Sequence, residues 1–189
     1  IEFQYHLKTI ETDNAYTLVP ADYNKSVRLA HIVLYAWLQT YDEVAGTAFT
    51  RKYVPKQLQL VGSAAYNLNG TTAQDASDRG VKVTLYAVND LKLDSSSLLA
   101  NYMKAMHHEF VHALMQQLAY DKNFDKISAA AYVNNDWYKK TSAEALKAGF
   151  ITPYAMSEAG EDFAETASAY LVSTATTWNG YITAAGASG

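Results

Sequence analysis

The sequence predicts an α+β fold, with helices packed beside a small sheet in one domain spanning residues 1–189. Two long stretches carry apolar residues at helical spacing, two short β-rich runs lie between them, and an acidic amphipathic helix closes the pattern. Residues 1–25 hold Pro20 and lack a clean period, so they read as an extended lead-in with short strand or turn pieces. From Ser26 the text "SVRLAHIVLYAWLQTYDEV" places Val27, Ala30, Leu34, Trp37 and Leu38 on one helix face, and Gly46 closes that helix. Strands are expected around Leu58 to Val61 and Val81 to Val88, with turns at Asn69-Gly70 and Arg79-Gly80.

The serine run Ser95 to Ser97 offers caps for a long helix reaching about Tyr120, with Leu99, Met103, Met106, Phe110, Leu114 and Leu118 as its core stripe. Residues 121–152 read as looser chain with helical pieces near "SAAAYV" and "SAEALKAG". Pro153 then precedes a last strong helix, "GEDFAETASAYLV". The closing "YITAAGASG" reads as an interrupted element, and the opening at Ile1 as that of a processed or trimmed product.

Composition narrows the function classes. Hydrophobic residues make up 49% and charged residues 18% of 189, which is globular and enough for a core. A net charge of −4 without an arginine-rich stripe argues against nucleic acid. No uninterrupted apolar run is long enough to span a membrane. With no cysteine in the sequence, any metal site here must be built from histidines and carboxylates.

"YMKAMHHEFVHALMQQ" supplies such a site. Positions i and i+4 share a helix face one turn apart, so His108 and His112 can aim two imidazoles at one point. Glu109 lies beside them, able to take a proton from water held there. This is the H-E-x-x-H arrangement for zinc. The competing reading is a half-buried helix whose histidines bond to neighbours. His107 turns away and is expected to make a structural hydrogen bond. A catalytic zinc takes a third protein ligand, and no histidine follows His112, so a downstream carboxylate must serve. Glu158, Glu161, Asp162 and Glu165 share one helix face, where like charges repel unless a cation lies opposite.

In order along the chain, "HHEFVHALMQQ", "YVNNDWY", "GFITPYA" and "GEDFAETASAYL" resemble the substrate import-associated zinc metallohydrolase lipoproteins, a metallopeptidase family of bacterial envelopes. The resemblance runs from about Val81 to Leu171. The layout is also similar to that of lethal-factor-like gluzincins, which implies a zincin-like domain. Carried over, the likeness makes Glu161 the third zinc ligand and Glu165 the carboxylate that supports a ligand histidine. Glu158 and Asp162 form a competing pair, and Glu161 is preferred because "EDFAE" matches the envelope family as a block. Tyr154 takes the place of a tyrosine that bonds the tetrahedral intermediate.

These readings together imply a zinc-dependent metallohydrolase acting on a peptide or glycopeptide, with Glu109 as general base. The alternative is a non-catalytic zinc-containing surface protein tied to nutrient import, although a structural site has no need of Glu109. The resemblance also implies an extracytoplasmic envelope lipoprotein, anchored outside this chain and working beside import proteins.

Overall fold

The computed structural model describes residues 1–6, 17–67, 71–73, 75–78 and 81–186. The turns expected at Asn69-Gly70 and Arg79-Gly80 lie outside them. The fold is mixed α+β, and the chain forms two compact units, Ile1–Gln117 and Leu118–Gly189.

In the first unit, β1 (Glu2–Gln4) is followed by α1 (Tyr23–Ile32), a π-helical stretch (Val33–Leu38), α2 (Gln39–Ala45) and α3 (Thr47–Tyr53). Next come β2 (Gln57–Leu60), β3 (Ala65–Tyr66), β4 (Thr72–Ala73), β5 (Asp75–Asp78) and β6 (Lys82–Leu85). Then α4 (Ser95–Leu98), a second π-helical stretch (Leu99–Met103) and α5 (Lys104–Met115) run as one helical rod. The main sheet has the order β1-β2-β6-β5. Its first three strands are parallel, and β5 pairs antiparallel with β6. Leu58, Leu60, Val83 and Leu85 are fully or almost fully buried, as expected for inner strands with cover on both faces.

Several boundaries differ from the sequence reading, each for a local reason. The first helix starts at Tyr23 and not Ser26, because Asp22 caps it by accepting the Lys25 N–H at 2.9 Å. Trp37 of the expected stripe is buried, but it shares the buried face with Leu29 and Val33, while Val27, Ala30, Leu34 and Leu38 are only half-buried. The wider π-helical winding at Val33–Leu38 rotates the phase that a 3.6-residue period assumes. Gly46, at φ 86°, ends α2 and leads at once into α3, which periodicity did not reveal. The strand expected to reach Val88 stops at Leu85, since Ala87 adopts φ 57° and turns the chain into a short 3₁₀ helix, Val88–Asp90. Asp94, not the serine run, caps the long rod, accepting the Ser97 N–H at 2.8 Å and the Ser96 hydroxyl at 2.7 Å. The rod ends at Met115, short of Tyr120, and the two ends of its expected stripe, Leu99 and Leu118, are exposed.

What fixes α5 is an aromatic cluster. Phe110 is fully buried and sits edge-on to Trp37 and Tyr41, with ring centroids 5.3 and 4.9 Å away, and to Phe49 at 6.1 Å. The other side of α5 rests on β5 and β6.

The second unit contains α6 (Phe124–Ile127), a 3₁₀ helix (Asn134–Lys139), α7 (Ser142–Lys147), a 3₁₀ turn (Tyr154–Met156), α8 (Ala159–Val172) and α9 (Ala175–Ala185). The helical piece expected at "SAAAYV" is a turn; the helix lies earlier, after Asp121 accepts the Asn123 N–H at 2.9 Å. The piece at "SAEALKAG" forms α7 behind a Thr141–Glu144 capping box. Ala145, Phe150, Ala155 and Met156 make a small core under Tyr132 and Trp137. The expected last helix is α8, but the chain continues into α9, capped by Thr174. No helix among the described residues is long and apolar enough to cross a membrane.

Two stability predictions follow from this packing. Phe110→Ala should cost about 3–5 kcal/mol, read from denaturant unfolding, since a buried aromatic leaves a cavity no neighbour can fill. For Asp94, hydrogen bonds from the Ser97 N–H and the Ser96 hydroxyl lower the carboxyl from 3.8 to about 2. Its folded value is depressed, so its stabilisation is complete above pH 4 and disappears as pH falls through about 2. Asp94→Ala should therefore lower the melting temperature at pH 7, and the gap from wild type should close on acidification towards pH 2.

Candidate metal centre

The spacing of His108 and His112 is realised on α5 as one helical turn. Their ring centroids are 4.7 Å apart and their Nε2 atoms 3.1 Å apart. Tetrahedral zinc with bonds of about 2.0–2.1 Å needs ligand nitrogens roughly 3.3 Å apart, so this pair already has the span of a chelate. His108 and Glu109 are buried, and His112 is half-buried. Buried Ala105, Phe110, Val111 and Ala113 surround them, so these polar groups project from an otherwise apolar stretch.

His107 faces elsewhere, as expected. Its Nδ1 lies 2.9 Å from the Tyr41 hydroxyl, beside Trp37. Burial pushes the imidazole down to about 4 and the Tyr41 phenol up to about 12, so the pair is neutral at pH 7.

Helix α8 separates the four acids that the sequence left on one face. Glu158 is exposed at the N-cap position. Glu161 is half-buried in the first turn, where the helix dipole favours a negative charge. Asp162 is buried; its Oδ2 accepts the Tyr132 hydroxyl at 2.9 Å, and burial pushes the carboxyl up to about 6. Glu165 is buried, and its Oε2 accepts the Thr152 hydroxyl at 2.5 Å. Tyr154 opens the 3₁₀ turn, 38% exposed, with its ring edge-on to Trp137 at 5.0 Å.

His108, His112 and Glu161 form a group that could hold a metal ion: each offers one ligand atom, and these lie within 4.8 Å of one another. Two neutral nitrogens and one carboxylate oxygen are a donor set suited to zinc, and three protein ligands leave a fourth position open. Tyr132 and Thr152 escaped sequence reasoning. Tyr132 opens the "YVNNDWY" stretch, but nothing in that stretch pairs it with Asp162, 30 residues further on. Thr152 had a signal, a threonine directly before Pro153 at the start of a turn.

An α+β fold with a His-His-Glu group that could hold a metal ion fits a zinc-binding protein, and the comparisons name the family. The chain belongs to the family described as "putative zinc-binding metallo-peptidase", whose model matches residues 1–188. It is similar to the crystal structure of "a putative zinc-binding metallo-peptidase" from Bacteroides caccae ATCC 43185. The identity is 41% and the TM-score 0.81, over 100% of this chain and 72% of the other. No curated protein matches the chain.

Metal analysis gives the direct check of the donor set. Protein loaded with zinc and dialysed should retain one ion per chain. His112→Ala and Glu161→Ala should lose it, and Glu158→Ala should retain it.

Proposed function

We propose that this protein is a zinc-dependent peptidase that hydrolyses peptide bonds by activating water, with zinc held by His108, His112 and Glu161. The observation that carries this reading is the ligand group itself, with buried Glu109 next to His108 on the same helix. Zinc in such a donor set acts as a Lewis acid, polarising a carbonyl and lowering the pKa of water towards about 7.

The chain's own residues supply the rest. The two imidazoles must present Nε2 as neutral acceptors, and their i, i+4 spacing keeps both directed at one point. The Glu109 carboxylate takes a proton from the attacking water and returns it to the leaving amine nitrogen, so it finishes the cycle ionised. The Glu165 carboxylate holds a ligand imidazole in the required tautomer and ring angle. The Tyr154 hydroxyl donates a hydrogen bond to the oxyanion that develops at the scissile carbonyl. The motif likeness further supports an envelope lipoprotein working beside nutrient-import proteins, on a peptide or glycopeptide substrate.

Substitution of Glu109 tests the chemistry apart from the metal. Glu109→Gln should keep its zinc and lose about 10²–10⁴-fold in hydrolysis of a mixed peptide and glycopeptide pool, followed by mass spectrometry. Equal turnover by Glu109→Gln and wild type would remove Glu109 from the mechanism. Zinc retention by wild type with no cleavage of either pool would favour a zinc-containing binding protein.

A further inference from the structure

Thr152 joins two features of the site that lie apart in sequence. Its hydroxyl donates to Glu165 Oε2 on α8 at 2.5 Å, the length of a charge-assisted O–H···O⁻ bond. Thr152 Oγ1 in turn accepts the Ala155 backbone N–H at 3.1 Å. A threonine hydroxyl has a single proton to give, and here it goes to a carboxylate that is 5% exposed. The N–H bond received on one side strengthens the O–H bond given on the other.

The donor on the other side of this relay belongs to the 3₁₀ turn Tyr154–Met156, which presents Tyr154. That turn is held at other points as well. Val133 N–H donates to the Met156 carbonyl at 2.8 Å, and the Ser157 hydroxyl donates to the Tyr154 carbonyl at 2.7 Å. Trp137 sits against the Tyr154 ring. Of the bonds named here, only Thr152 reaches from the turn to an acid of α8.

The structure assigns Thr152 a positioning role: its hydroxyl fixes the carboxylate plane of Glu165 and the turn bearing Tyr154 as one piece. This rests on the reading above, in which Glu165 orients a ligand imidazole and Tyr154 faces the reacting carbonyl. Thr152 touches neither metal nor substrate and acts through Glu165. Removing its hydroxyl takes one hydrogen bond from the buried Glu165 carboxylate and leaves the Ala155 N–H without this acceptor. Zinc affinity and turnover should then fall together.

The test is zinc affinity by competition with a chromophoric chelator, alongside kcat/KM, for folded variants checked by circular dichroism. Thr152→Val keeps shape and β-branching before Pro153 but lacks the hydroxyl, and Thr152→Ala is a second deletion should valine fail to fold. Either should weaken zinc binding, by no more than the about 10- to 100-fold loss expected when the carboxylate next to a metal ligand is itself removed. Thr152→Ser should restore wild-type affinity. In a Glu165→Ala background, Thr152→Val should cause no further loss. Unchanged affinity in both hydroxyl deletions, failure of serine to rescue, or an equal loss with and without Glu165 would each overturn the assignment. Failure of wild type itself to bind zinc would instead bring down the metal reading on which it rests.

Discussion

The candidate site depends first on a distance within one helix. His108 and His112 hold their Nε2 atoms 3.1 Å apart, a spacing that suits two ligands of a small tetrahedral ion. A helical turn supplies the spacing, and packing around α5 holds that turn in place. Phe110 fixes it on one side, locked among Trp37, Tyr41 and Phe49, while β5 and β6 support α5 on another. The aromatic cluster also explains the three consecutive polar residues from His107. His107 turns to Tyr41 and loses its charge by burial, while His108 takes its place in the His-His-Glu group.

Carboxylates on α8 follow a second rule, in which burial sorts like charges into different tasks. Repulsion among four acids on one face would weaken the helix. The structure relieves it by exposing Glu158, giving Asp162 the Tyr132 hydroxyl, and giving Glu165 the Thr152 hydroxyl. Glu161 is the one that joins the two histidines within ligand distance. Its place in the first turn of a long helix adds a favourable dipole, so a negative charge is tolerated there even before a cation arrives.

The sequence was most legible where a period and a chemical motif coincide. The H-E-x-x-H rod and the "EDFAE" helix fall where spacing put them, and the α+β class follows from the same patterns. Boundaries were less legible, for reasons seen at single residues. Asp22 and Asp94 cap helices that the apolar pattern starts later, and π-helical winding at Val33–Leu38 shifts the buried face by a residue. Helices α3 and α9 were missed because neither buries a broad apolar stripe. Among the acids, spacing alone left the candidate third ligand open between Glu158 and Glu161; proximity to the two histidines is a property only the folded chain has. Hydrogen bonds such as Tyr132 to Asp162 join residues with no shared motif and leave no mark in one sequence.

X-ray absorption at the zinc edge of the loaded protein tests the central claim most directly. The account predicts four nitrogen or oxygen neighbours at about 2.0–2.1 Å, with the outer-shell scattering of two imidazoles and one carboxylate. A six-coordinate, oxygen-only environment without imidazole scattering would contradict it, placing the ion on surface carboxylates and leaving His108 and His112 as an ordinary hydrogen-bonded pair.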